Sequence, residues 1–349
     1  MSVGRSLSLV FCSALVTVIA AACGSFSSAG EAPTTDGGPD GDLPGSDAST
    51  MDADATDVGD AGDPGVALEL ARGLDNLSSV AVTETTVFVA ERTLGRVRSI
   101  PIGGGPIDDV STNAGSPTGL AVTATDLFWC NYGGKEILRR PLAGGTIVPH
   151  STSTKGPFQI AIASDRLVTA TLDGLQGAGE IQQYMFDFSA GPSIGIATGN
   201  PYDVAALGTG FYWTESATGR IARGETGANT NKDLVPSGES DCQSIAVDSA
   251  GVYWARPSNG LIRMVVTGNP SDVATNEAAP HSLAADGQAL YWLTGDGQVR
   301  RSTHADRSRT TLAKGYMTSF ADGRAQALAL TSKYVVWLTT DGRVMRVAK

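Results

Sequence analysis

Histidine and cysteine are nearly missing from this chain, at three and four copies in 349 residues. So few thiols exclude a disulfide-built scaffold and any zinc module that needs repeated Cys-x-x-Cys pairs. Gly-x-Ser-x-Gly, His-Glu-x-x-His and phosphate-loop motifs are absent too, which removes the commonest hydrolase and nucleotide signatures. Basic residues form no cluster, so a nucleic-acid surface is not expected. The apolar stretch Leu7–Ala22 has sixteen residues, short of the about 20 that a membrane-spanning helix requires.

What the chain does have begins at its ends. Residues 1–22 carry one charge, Arg5, then an uncharged apolar stretch closed by Ala20, Ala21 and Ala22, the pattern of a secretory signal. Cys23 follows directly, and this junction resembles the bacterial lipobox, which implies a lipidated cysteine as the mature N-terminus. Residues 24–65 hold ten acids, no Lys or Arg, and otherwise mostly Gly, Pro, Ser, Thr and Ala. Such a segment buries too little apolar area to offset chain entropy, so 23–65 is expected to be a disordered, self-repelling tether. Its Asp-Gly clusters lack the ligand spacing of a calcium loop, and no metal or cofactor is implied. The formal charge of −11 is therefore a property of the tether: residues 66–349 carry 24 Lys and Arg against 26 Asp and Glu, a net of −2.

Within 66–349 one pattern dominates. The five tryptophans, Trp129, Trp213, Trp254, Trp292 and Trp337, are separated by 84, 41, 38 and 45 residues. Val89 and Thr169 stand at 40-residue steps on either side of Trp129, giving seven equivalent positions. Each lies in a short apolar run such as Phe211-Tyr212-Trp213 or Leu290-Tyr291-Trp292. Ahead of each comes an apolar-small segment such as Leu120-Ala121-Val122 or Ile245-Ala246-Val247. A period near 40 with β-branched and aromatic runs predicts an all-β, seven-bladed β-propeller. The recurrent alanine suits an innermost strand where wedge-shaped sheets converge, and the indoles suit the widening gaps between blades. A third strand is marked by Val97, Ile137, Ile181, Ile221, Ile262, Val299 and Val344, followed by arginines expected to bond between blades or face solvent. In the third repeat, Gly174–Gly179 lengthens the preceding turn. The last repeat stops after its third strand, and 66–71 is expected to supply the fourth and close the ring. Cys130 and Cys242 fall in the second and fifth repeats, far apart around such a ring, and are expected to stay unpaired.

Phe211-Tyr212-Trp213-Thr214-Glu215 with Gly219-Arg220-Ile221-Ala222-Arg223 resembles the YWTD repeat of low-density-lipoprotein-receptor propellers, although those have six blades. The resemblance implies an extracytoplasmic propeller of binding type.

Ligands of propellers usually meet one end of the central channel, so the residues just before each innermost strand are the candidates. Phe158, Gln159, Tyr202, Asp203, Gln243, His281 and Gln326 are the most distinctive of them. The expected function is non-enzymatic recognition or scaffolding of a protein or envelope glycan. The chain would be displayed by its lipid anchor at a bacterial outer or periplasm-facing membrane. A competing reading is an envelope hydrolase or lyase, for which Asp203 and His281 would be the acid-base pair. A propeller serving only as a spacer is the third.

Overall fold

Short apolar runs bounded by Asp, Gly, Ser and Thr can satisfy their backbone groups only by pairing with neighbouring runs, and here each pairs with the next along the chain. The computed structural model describes residues 65–152, 155–172, 179–189, 196–319 and 326–349. The signal, Cys23, the tether and most of the 174–179 insertion lie outside the described residues. Seven four-stranded antiparallel sheets result, a seven-bladed propeller. Blades 1 to 6 span 77–111, 117–151, 156–198, 201–235, 245–274 and 281–314. Blade 7 takes its three inner strands from 328–348 and its outer strand from Leu68–Ala71, which pairs antiparallel with Val344–Ala348. The first and last strands of the described propeller are thus hydrogen-bonded to each other, and Leu70 is buried in the core of that junction.

Register confirms the repeat. Val80 faces Val89, Leu120 faces Trp129, Ile160 faces Thr169, Val204 faces Trp213, Ile245 faces Trp254 and Leu328 faces Trp337. All five indoles are fully buried, each packed against the preceding blade: Trp292 joins Tyr253 and Ile262 of blade 5 in one cluster, and Trp129 joins Phe88 and Val97 of blade 1. Removing about 200 Å² per indole from water is worth about 5 kcal/mol before entropy is charged.

The segment linking one blade to the next is held by a recurring hook. Leu74, Ala114, Thr152, Glu239, Glu277 and Tyr316 each donate a backbone N–H to the carbonyl of a residue in the turn between the second and third strands of the previous blade: Gly342, Gly95, Lys135, Gly219, Gly260 and Gly297. All six acceptors have positive φ. Glycine is required at five of them because the linking backbone passes so close; a Cβ on Gly260 would stand 2.6 Å from the Glu277 carbonyl oxygen.

Pairs within their own blade, in place of the expected blade-to-blade bonds or open solvent, hold three of the third-strand arginines. Arg98 pairs with Glu91 (2.8 Å) and Asp109 (3.3 Å), Arg139 with Asp126 (2.7 Å) and Arg263 with Asp272 (2.8 Å). Asp109 and Asp272 are the cross-strand partners of their arginines, and Arg263 also pairs with Glu239 of the segment linking blade 4 to blade 5. Cys130 and Cys242 are both buried free thiols.

Candidate binding site at the channel mouth

The seven innermost strands enclose a channel of about 360 Å³. Its wall is mostly aliphatic, with Leu120, Ile160, Ala205, Ala246 and Ala329 typical members, and Gln159, Tyr202, Asp203, Ser244, Ser282 and Gln326 give it polar groups where the strands begin. Four of the seven candidate residues, Gln159, Tyr202, Asp203 and Gln326, therefore line the channel. Phe158, Gln243 and His281 are not part of that lining.

β-Bulges mark five of the seven entries without deciding which residues reach the channel: Phe158 and Tyr202 are the extra residues of equivalent bulges, and only Tyr202 lines it. The first pairing of the innermost strand slips between Leu77 and Ser79, Pro117 and Leu120, Pro157 and Gln159, Pro201 and Asp203, and His281 and Ala284. A bulge re-aims the side chains beside it. Phe158 is the extra residue in blade 3; it is buried and meets Tyr132 edge-on, ring centroids 6.3 Å apart. Gln243 donates its side-chain amide to Asp241 (2.8 Å), while its backbone carbonyl accepts the Thr214 hydroxyl. His281 has Nδ1 3.1 Å from the Ser282 hydroxyl, and Ser282 holds φ +51, a left-handed backbone that costs a non-glycine residue about 1 kcal/mol.

Beneath the mouth runs a set of side-chain staples that join successive blades. The Ser79 hydroxyl accepts Leu120 N–H (3.0 Å), Asp203 Oδ2 accepts Ile245 N–H (2.9 Å), the Ser244 hydroxyl accepts Leu283 N–H (2.8 Å) and the Ser282 hydroxyl accepts Ala327 N–H (3.4 Å). At the junction of blades 7 and 1 the backbone itself does this work: Gln326 donates to the Ser78 carbonyl and Val80 to the Gln326 carbonyl. The serines stand among the residues that precede the innermost strands but not among the seven most distinctive ones, although a Ser or Asp immediately before the apolar-small segment recurs in four repeats.

Burial lifts the Asp203 carboxyl to about 6, against the pull of N–H donors from Ile245 and Val204 and of the Ser244 hydroxyl. Burial pushes the His281 imidazole down to about 4. Among the described residues no three His, Cys, Asp or Glu side chains converge as a metal site. No described helix is long and apolar enough to cross a membrane.

No protein-family model matches this chain, and no curated protein matches it by sequence. Solved structures do resemble it. A streptogramin B lyase superposes with a TM-score of 0.65 at 16% identity, covering 81% of this chain and 98% of that one. Virginiamycin B lyase from Staphylococcus aureus gives 0.66 at 14%, with 81% and 98% covered. The nidogen–laminin complex, which includes a YWTD-type propeller, gives 0.51 at 16%, with 65% and 92% covered. At such identities the likeness is one of fold.

Proposed function

We propose that this chain is a recognition propeller, displayed at a bacterial envelope by a lipid on Cys23 and the acidic tether, whose partner meets the channel mouth. The observation that carries this reading is the occupation of Asp203. Oδ1 accepts Val204 N–H (2.8 Å) and Oδ2 accepts Ile245 N–H, so the carboxylate is fixed between two blades, and a group held in this way is suited to joining sheets more than to turning toward a substrate. The acid does what Ser79 and Ser244 do in other blades: it joins sheets. His281 is likewise engaged by its neighbour Ser282. What the mouth offers a visitor is two carboxamides, a phenol and hydroxyls on a rigid ring, the groups that recognise peptide or glycan surfaces by hydrogen bonding.

Crosslinking capture from the native envelope tests this with full-length protein. Tyr202→Ala with Gln326→Ala should lose the captured partner while Cys23→Ser, which should also release the protein into the soluble fraction, should not. Unchanged capture by the double variant would remove the mouth from consideration, and membrane retention of Cys23→Ser would remove the lipid. Stoichiometric divalent metal bound beside Asp203 would favour a hydrolase or lyase instead.

A further inference from the structure

Opposite the residue that precedes each tryptophan position, the third strand carries a long side chain in six blades: Arg139, Gln183, Arg223, Met264, Arg301 and Arg346. Two of them show where such a side chain goes. The Gln183 amide donates to the Ala228 carbonyl (2.8 Å), in the turn that follows the third strand of the next blade. The Met264 sulfur accepts from Arg307 (3.8 Å), in the same turn of blade 6. Blade 1 departs from the rule, because the residue opposite Phe88 is Ser99. Between blades 1 and 2, where a long side chain would lie, there is a hollow of about 460 Å³. Phe88 and Ser99 line it, and so do Pro141 and Leu142, where the corresponding turn of blade 2 begins. Its size falls within the about 300–1,000 Å³ of small-ligand sites. Thr83, Thr85 and Thr86 of the turn that leaves the innermost strand also line it, so it lies toward the end of the strands opposite the channel mouth.

The hollow is equipped with groups that the fold itself leaves unused. Ser99 stands directly across the strand pair from Asp108, which is exposed and lines the hollow too. Among the described residues, neither the Asp108 carboxylate nor the Ser99 hydroxyl has a hydrogen-bond or ion-pair partner. Its neighbour Asp109 is already committed to Arg98 (3.3 Å). Arg140 enters from blade 2, donates from Nη1 to the Val110 carbonyl and meets no carboxylate among the described residues. Phe88, Val110, Leu127 and Leu142 give the lining its apolar part.

We propose that this hollow is a second binding site, for a neutral sugar ring whose hydroxyls donate to Asp108 and accept from Arg140. Three features fix the class. A carboxylate and a guanidinium, each without an ionic partner in one cavity, call for groups that both donate and accept, as hydroxyls do. A charged guest would stand beside its own sign, an anion by Asp108 and Asp109 or a cation by Arg140. Phe88, Leu127 and Leu142 call for a body that is not polar all round, and a pyranose has C–H faces to lay against them. The polar groups are side chains gathered round one cavity, Thr85, Thr86 and Ser99 adding hydroxyls, which matches the clustered hydroxyls of a ring and not the line of N–H and C=O groups along a peptide.

Saturation-transfer NMR titrations of the full-length protein test this with the methyl glycosides of glucose, galactose and mannose. At least one should bind with a Kd of about 1–10 mM, and the matching uronic acid, its anionic counterpart, should bind about tenfold more weakly. Ser99→Arg, which installs the side chain of blades 2, 4, 6 and 7, should fill the hollow and abolish the response. If that variant fails to fold, Asp108→Ala, at an exposed position, should weaken binding about tenfold or more. Tyr202→Ala, at the channel mouth, should leave binding unchanged. No response to any of the three glycosides, or a response that persists in folded Ser99→Arg or is undiminished in Asp108→Ala, would overturn the proposal. So would equal binding of the uronic acid, and loss of binding in Tyr202→Ala would move the sugar to the channel mouth. A response to N-acetyl-glycinamide in place of the sugars would give the hollow to a peptide and count against it as well.

Discussion

Lowering the pH should leave the native protein's stability almost unchanged where two buried groups would each shift it strongly. Asp203 rises from an ordinary 3.8 to about 6 and His281 falls from 6.5 to about 4, both chiefly through burial. Two pH units or slightly more on each group correspond to about 3 kcal/mol at 1.36 kcal/mol per unit. That figure is a ceiling, since both residues keep part of their surface open. The signs are opposite. Between pH 6 and 3.8 folded Asp203 holds a proton that the unfolded chain has released, so its contribution to stability grows as pH falls. Between pH 6.5 and 4 the unfolded chain protonates His281 while the folded chain does not, so stability is lost as pH falls. His150, also lowered by burial, adds modestly to the loss. Asp203→Asn should therefore expose a decline of about 2–3 kcal/mol on acidification from pH 7 to about 4.5, and His281→Gln a rise of similar size. Urea midpoints across that range, with m-values checked for constancy, measure both. Ending there avoids the acids that pairing holds below their ordinary values, such as Asp126 and Asp286, which lose stability at lower pH. If all three proteins trace parallel profiles, neither side chain is buried as described and the argument fails.

Three further outcomes follow from the packing. Glu277→Ala should cost about 3 kcal/mol in urea denaturation, because Arg300 loses its buried partner and Trp292 its acceptor; a loss below about 1 kcal/mol would make the cluster incidental. Gly260→Ala should lower stability by clearly more than Gly268→Ala: both have positive φ, but a Cβ at Gly268 meets nothing within 4 Å and one at Gly260 meets the Glu277 backbone. Equal midpoints for the two would remove the close-approach argument. Leu70→Asp should cost about 3–5 kcal/mol and lower one cooperative transition for the whole ring, since Leu70 is buried where the outer strand seals blade 7; a separate early transition confined to that blade would show that the strand is dispensable.

The blade count was legible because a tryptophan on a wedge-shaped sheet has one place to go, and the register of Leu120 with Trp129 and Ile245 with Trp254 repeats the spacing read from the chain. The outer strand of blade 7 was legible from alternation in 66–71, though only Leu68–Ala71 pairs. The mouth was less so. Five of the innermost strands begin with a bulge, where successive side chains no longer alternate strictly between faces, so the spacing alone does not say which of two neighbours enters the channel. Phe158 and Tyr202 hold equivalent bulge positions, yet Phe158 is buried against Tyr132 and Tyr202 lines the channel beside Asp203. The indole acceptors were hidden by their irregular placement: Glu239 and Glu277 stand fifteen residues before their tryptophans, Glu215 two after. In sequence Glu239 and Glu277 are ordinary loop acids, while Glu215 ends a strand.

The hook separates what this fold must keep from what it can vary. Its backbone bond and the left-handed residue that accepts it recur at six junctions, so they set how blades are spaced. The side chain at the hook is not needed for that bond, although the Thr152 hydroxyl adds a second donor to the same carbonyl, and it changes freely: Leu74, Ala114, Thr152, Glu239, Glu277, Tyr316. Size and polarity there follow the residue faced, with a carboxylate for an indole N–H in blades 5 and 6 and a second aromatic ring for Trp337. Only at Ala114 is a large indole met by a methyl group. A ring that varies this side chain without disturbing its hooks should keep the rim and the channel mouth independent: Ala114→Leu, the residue used at Leu74, should leave partner capture intact, and loss of capture would show that the hook side chain and the mouth are coupled.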